Sequence, residues 1–95
     1  GGGAQAAALG RKLRRLAAGG WQILCVTHLP QVASFGHHHF RVAKQVEGER
    51  TFTRVDALPA GERTGEIARM LAGAETTDLS LSHAREMLES AARAS

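Results

Sequence analysis

Apolar residues recur along the chain with two spacings that predict most of its elements. Leu9, Leu13 and Leu16 lie four and then three residues apart, which is the spacing of one face of a helix. The glycines at positions 19 and 20 are expected to end that helix, because glycine tolerates left-handed backbone geometry. The unbroken apolar run 23–26 then predicts a strand that is covered on both faces, as in a parallel sheet.

Two segments in the middle of the chain predict a β-hairpin. They span residues 40–46 and 50–56, alternate in character, and are joined by a short turn that contains Gly48. One hairpin cannot flank a buried parallel strand on both sides. The remaining strands of that sheet are therefore expected to lie outside this sequence.

The last third of the chain is predicted to form two helices. The first follows Pro59 and ends at Gly73, and the second is expected to be capped by Thr77 and Asp78. Each helix carries one apolar stripe, the pattern of a helix with one buried face. The stripes consist of Ile67, Met70 and Leu71 in the first helix and of Leu81, Ala84, Leu88 and Ala91 in the second.

The composition supports one modest folded domain over residues 1–95. Hydrophobic residues make up 43% and charged residues 22% of the 95 residues, which is typical of a globular chain. No apolar stretch approaches the roughly 18 residues of a membrane helix, so no membrane contact is predicted.

The single cysteine, Cys25, excludes an internal disulfide and favours a reducing, cytoplasmic location. Because it lies within the apolar run, we expect an inert buried thiol rather than a nucleophile paired with His28.

The charge balance is compatible with a nucleic acid partner but does not require one. The net charge is +3, and ten of the twelve basic residues are arginines. Four basic residues fall in the C-terminal half of the first predicted helix: Arg11, Lys12, Arg14 and Arg15. A solvated basic face is the simpler interpretation of this group, and a DNA-binding patch is the alternative.

The residues with the clearest chemical potential follow the predicted buried strand. Thr27 and His28 come directly after it, and Pro30 fits the first turn of a helix. Residues at the carboxyl ends of parallel strands line the ligand crevice of open α/β sheets. A histidine there can contact a phosphate or a water through one ring nitrogen. A purely structural histidine is the competing interpretation, and position alone favours it.

Three consecutive histidines also suggest metal binding. They are His37, His38 and His39, and in an extended segment their side chains point alternately to opposite faces. At most two of them could share one metal, and no cysteine or carboxylate cluster completes a tetrahedral set nearby. We therefore predict no metal site.

The stretch around His28 resembles one protein family specifically. Residues 25–33, CVTHLPQVA, are similar to the segment after the D-loop in bacterial RecN proteins, relatives of the SMC chromosome-structure proteins with ATP-binding-cassette heads. The glycines at 1–3 and the alanine-rich helix resemble the residues just after the family's Walker B and D-loop segment. The resemblance continues through HFRV at 39–42, EIARMLAG at 66–73 and HAREML at 83–88, and so covers almost the whole chain.

This resemblance implies a fold and a function. The implied fold is the C-terminal part of a P-loop ATPase head of the ABC/SMC type: a helix, a buried parallel strand, a short helix, a β-hairpin and two C-terminal helices. His28 matches the switch, or H-loop, histidine, which contacts the γ-phosphate of ATP and helps to position the attacking water. It is the one candidate catalytic and nucleotide-contacting residue. Thr27 and Gln31 flank it and are expected to shape the loop without a catalytic role.

The implied ligands and partners belong to the full-length family member. They are ATP and Mg²⁺, DNA, and a second ATPase head in a homodimer, with a cytoplasmic, nucleoid-associated location. The implied function is recombinational repair of DNA double-strand breaks.

Several motifs of such an ATPase do not occur in these 95 residues. There is no G-x-x-x-x-G-K-[ST] sequence, no signature motif and no Walker B Asp-Glu pair. We therefore expect the chain alone neither to bind ATP tightly nor to hydrolyse it. It begins with glycine, as after a cleaved tag or a cut from a longer protein. A small basic nucleic-acid-binding module without catalysis, or an inactive remnant, are the alternative interpretations.

Overall fold

The computed structural model describes residues 2–94, so that Gly1 of the opening glycines lies outside the described part. Within it, four helices and one two-stranded sheet form a mixed α/β fold, as predicted. None of these helices is long and apolar enough to cross a membrane. The elements in chain order are α1 (Gly2–Ala18), α2 (Pro30–Ala33), β1 (Phe40–Glu47), β2 (Arg50–Ala57), α3 (Ala60–Ala72) and α4 (Asp78–Arg93).

The predicted hairpin is confirmed, and each strand extends one residue beyond its predicted end. β1 and β2 pair antiparallel from Phe40 opposite Ala57 to Glu47 opposite Arg50. Gly48 has a φ of 63° in the turn between them, a conformation that glycine adopts without a steric penalty. Both faces of the hairpin are largely exposed.

The prediction of a buried parallel strand at 23–26 is wrong for this structure. The segment has no strand pairing, and Leu24 and Val26 are 87% and 92% exposed. A strand needs a hydrogen-bonded neighbour, and the only sheet within residues 2–94 is the hairpin, which pairs with itself. Cys25 is exposed in the same segment, so the expectation of a buried thiol is also wrong.

The first helix forms as predicted, but it packs through a different face. It ends before Gly20, whose φ is 104°. Leu9 and Leu16 of the predicted stripe are 50% and 42% exposed, whereas Ala6 and Gly10 are buried. The face is rotated because the ring of Phe35 lies where a side chain on residue 10 would be. Small residues therefore make this contact in place of Leu9 and Leu16, whereas Leu13 is partly buried.

The core lies between α3 and α4, which pack through their apolar stripes. Ile67, Ala68 and Ala84 are buried, and the partly buried side chains of Met70 and Leu88 are among those packed around them. α3 ends at Gly73, whose φ is 81°.

The cap of α4 is confirmed for Thr77. The backbone N–H of Ser80 donates to Oγ1 of Thr77 at 3.0 Å, and the backbone N–H of Thr77 donates to Oγ of Ser80 at 2.8 Å. These two bonds form a reciprocal capping box in which two otherwise unpaired backbone donors are satisfied. Asp78 is the first residue of the helix rather than its cap.

Candidate functional site

His28 lies exposed on a short turn between residues 21–26, which form no helix or strand, and α2. The backbone N–H of Leu29 donates to Oγ1 of Thr27 at 3.0 Å, and this bond closes the turn around His28. Serine and threonine commonly fix turns in this way. Thr27 therefore shapes the loop, as expected from the sequence. We refer to residues 27–29 as the His28 turn.

The His28 turn is continuous with the single helical turn of α2. The backbone N–H groups of Val32 and Ala33 donate to the carbonyl of Leu29 at 3.1 and 3.0 Å. Pro30 occupies the first turn of the helix, as predicted, and is buried together with Val32. Because these buried residues follow the turn directly, its backbone is anchored on one side while the imidazole stays exposed.

Two arginines from other helices bind the backbone that follows α2. Arg14 in α1 donates from Nη1 to the carbonyl of Phe35 at 2.8 Å. Arg63 in α3 donates from Nη2 to three carbonyls, those of Ala33 (3.1 Å), Ser34 (3.4 Å) and Gly36. Four successive carbonyls thus accept hydrogen bonds from this arginine pair (Arg14 and Arg63). The carbonyl of Ala33 also accepts from the backbone N–H of Gly36 at 3.2 Å. The carbonyls of residues 34–36 lie beyond the helix and need partners when they are partly buried.

The environment of Arg63 opposes its positive charge. Burial lowers its pKa, and the neighbouring charge of Arg14 lowers it further. The buried Nε of Arg63 has no hydrogen-bond partner among the described residues. The carbonyl dipoles at 33, 34 and 36 are therefore the groups that stabilise this guanidinium.

The arginine pair was not predicted from the sequence. Arg14 was assigned to a solvated basic face, but it is partly buried and bonded to Phe35. The bonds of Arg63 connect residues 27 to 30 positions apart in the chain. No local spacing encodes such a contact, since it depends on how α3 packs beside α2.

The histidine run meets α3 through one of its members. His37 and His38 are exposed, whereas His39 is partly buried and its Nδ1 has no partner among the described residues. Burial lowers the pKa of His39, and the charges of Arg63 and Arg69 lower it as well. Across residues 2–94 no group of three histidine, cysteine or acidic side chains is placed to hold a metal ion.

A buried carboxylate lies close to His39. Glu66 is 7% exposed and accepts a hydrogen bond from Nε of Arg69 at 3.0 Å. This bond lowers the pKa of Glu66, against the opposing effect of burial. The carboxylate also favours the protonated form of His39, but less than burial disfavours it.

Comparison with known proteins gives one consistent result. No protein-family model matches the chain. It is 52% identical over 87 residues to the DNA repair protein RecN of Deinococcus radiodurans, a match that covers 92% of this chain. The RecN proteins of Haemophilus influenzae and Bacillus subtilis are 47% and 45% identical over 92% and 90% of the chain. The chain spans about 15% of the length of each of these relatives.

The fold and the site describe one class of structure, a mixed α/β segment in which the His28 turn links the apolar run 23–26 to a short helix. The chain belongs to the RecN family over the matched residues. The family resemblance drawn from CVTHLPQVA and the closing helices is therefore confirmed.

Proposed function

We propose that this chain is the C-terminal part of a RecN-type ATPase head that acts in recombinational repair of DNA double-strand breaks. The observation that carries the proposal is 44–52% identity over 84–90 residues to proteins named DNA repair protein RecN. Identity at this level over nine-tenths of the chain supports a shared fold and role. DNA and a second head in a homodimer are the partners of the complete protein, near the nucleoid in the cytoplasm.

Within that head, His28 is the switch histidine of the ATP site. Its ring is exposed while its backbone is fixed by the Thr27–Leu29 bond and by buried Pro30, which is what a positioned hydrogen-bond donor requires. ATP and Mg²⁺ supply the reacting phosphate and its charge neutralisation in the complete protein. Phosphoryl transfer depends on positioning and on stabilising charge, so one well-placed donor can have a large effect.

In the complete protein, the apolar run 23–26 before His28 is suited to form a strand of the head's sheet. Leu24 and Val26 are almost fully exposed, and apolar residues with this exposure usually mark a surface that is covered by another part of the protein. In the complete protein we expect strands from the rest of the head to pair with residues 23–26. His28 would then follow the carboxyl end of a buried parallel strand, where ligands bind in open α/β sheets.

The test is ATP hydrolysis by the complete protein and its His28→Ala variant. We expect kcat to fall by about a hundredfold, as on removal of one transition-state hydrogen-bond donor. The matched control is His38→Ala, since this histidine is also exposed but lies away from the turn. Unchanged turnover in His28→Ala would reject the switch role. Robust hydrolysis by the 95 residues alone, lost in His28→Ala, would show that the rest of the head is not needed.

The alternative function is a small basic nucleic-acid-binding module. One observation counts against it: Arg14 is bonded to Phe35, so the exposed basic face of α1 is reduced to Arg11, Lys12 and Arg15. A phosphate-binding face predicts DNA affinity with a steep salt dependence. Replacing Arg11 and Arg15 with glutamine should reduce that slope by about one per arginine. Salt-independent or absent binding by the chain would reject the module.

A further inference from the structure

A continuous series of hydrogen bonds links α3 to the His28 turn. Arg63 donates to the carbonyl of Ala33, and the N–H of Ala33 donates to the carbonyl of Leu29 at 3.0 Å. The N–H of Leu29 in turn donates to Oγ1 of Thr27 at 3.0 Å, across His28. Three hydrogen bonds, joined through the backbones of Ala33 and Leu29, therefore connect the guanidinium to the turn.

α2 depends on such external support because it has only four residues. Isolated helices shorter than about 12 residues are marginal in water, since nucleation is costly and few backbone bonds offset it. Pro30 and Val32 bury one side of α2. The arginine pair adds attachment points at its C-terminal end, because it binds the carbonyls of residues 33–36 from two different helices.

The arrangement is costly, which argues against a chance contact. Two guanidinium groups lie near each other, one is partly buried, and its Nε has no partner within residues 2–94. Exposed salt bridges to carboxylates elsewhere on the surface would cost less. What the costly arrangement supplies is a fixed position for the loop that carries His28.

We infer that Arg63, with Arg14, is a positioning residue for ATP hydrolysis that holds the His28 turn in its working orientation. This inference rests on the proposed function, because it assigns Arg63 a role through His28. The hydrogen bonds of Arg63 within residues 2–94 all go to backbone carbonyls, so it acts through α2 and not on the reacting atoms.

The experiment measures kcat and KM for ATP in the complete protein with Arg63→Gln, Arg63→Lys and Arg14→Gln. A misplacement of about 1 Å can cost up to about a hundredfold in rate, so we expect Arg63→Gln to lower kcat by at least about tenfold. KM should change by less than about twofold, because uniform binding is not affected. Arg63→Lys should recover part of kcat, since an ammonium still donates to carbonyls. The control is Arg11→Gln, an exposed arginine on the helix that carries Arg14.

A double variant separates positioning from a general loss of structure. If Arg63 acts only through His28, His28→Ala with Arg63→Gln should be no slower than His28→Ala alone. Multiplying effects, or a normal kcat in Arg63→Gln, would overturn the inference while leaving the switch role of His28 intact. Unchanged kcat in His28→Ala would overturn the proposed function and this inference with it. If Arg63→Gln fails to fold, the milder Arg14→Gln and Arg63→Lys variants decide by the same criteria.

Discussion

Because Gly10 has no side chain, α1 can pack closely against the ring of Phe35. Gly10 lies in the middle of α1, where glycine costs about 1 kcal/mol relative to alanine, so a packing reason is needed for it. The reason is Phe35, whose ring occupies the space that a Cβ on residue 10 would take. The carbonyl of the same phenylalanine accepts the hydrogen bond from Arg14. Gly10 therefore helps to hold the backbone that follows α2.

Gly10→Ala should loosen this contact. Overpacking a well-filled contact costs about 1–3 kcal/mol, which equals or exceeds the gain in helix propensity of about 1 kcal/mol. Hydrogen exchange of the complete protein should therefore become several-fold faster at residues 31–36. Gly3→Ala is the matched control in the same helix, because a Cβ there meets nothing within 4 Å. Equal exchange in the two variants would contradict the packing role of Gly10.

His39 gives a prediction for the dependence of stability on pH. Burial lowers its pKa below 6.5 in the folded chain, so the unfolded chain takes up the proton first as the pH falls. Its contribution to stability is complete above the unfolded pKa of 6.5 and is lost as the pH falls towards the lower folded pKa. The helix content of the 95-residue chain should therefore decrease as the pH falls through about 6.5 and below.

The measurement is far-ultraviolet circular dichroism of the chain across that pH range. His39→Gln should show a smaller decrease, because the partly buried imidazole is gone. His38→Gln replaces an exposed neighbour and should behave like the original chain. A decrease of the same size in all three would show that His39 does not cause it.

At the element scale, the sequence predicted correctly the elements that depend on residues close together in the chain. The hairpin and the cap at Thr77 depend on neighbouring residues, and both form as the sequence indicates. The packed face of α1 and the arginine pair depend on which elements meet in space, and neither was predicted. His28 is a candidate because a specific motif carries it, and its role stays a prediction. Arg63 contacts a backbone that no spacing rule connects to it.

Thr77→Ala tests the capping box at the start of α4. Removing the hydroxyl leaves the N–H of Ser80 without its acceptor, and such losses at a helix cap cost about 1 kcal/mol. We expect about fivefold faster hydrogen exchange in the first turn of α4 in the complete protein. Thr76→Ala is the control, since Thr76 is exposed and lies just outside the capping box. A cap variant that exchanges no faster than Thr76→Ala would refute this account of the helix start.

At the scale of the whole molecule, the described residues form a loosely filled structure. The radius of gyration is 14.3 Å, whereas a compact domain of this length has about 12 Å. Within residues 2–94, Ile67 is the only large side chain that is completely buried. The run at 21–26 and both faces of the hairpin remain exposed. This exposed apolar surface is what the proposed function expects the rest of the protein to cover.

The 95-residue chain should accordingly unfold without a sharp thermal transition when it is studied alone. A core this small cannot offset the conformational entropy of the ordered chain by a wide margin. Circular dichroism on heating should show a broad, gradual loss of helix, and a steep cooperative transition would contradict the prediction.

The double variant Leu24→Ser with Val26→Ser compares the exposed apolar run in the isolated chain and in the complete protein. Because both side chains are exposed, this variant should leave the helix content of the isolated chain unchanged. In the complete protein it should lower the unfolding temperature, since there these residues would lie in a paired strand.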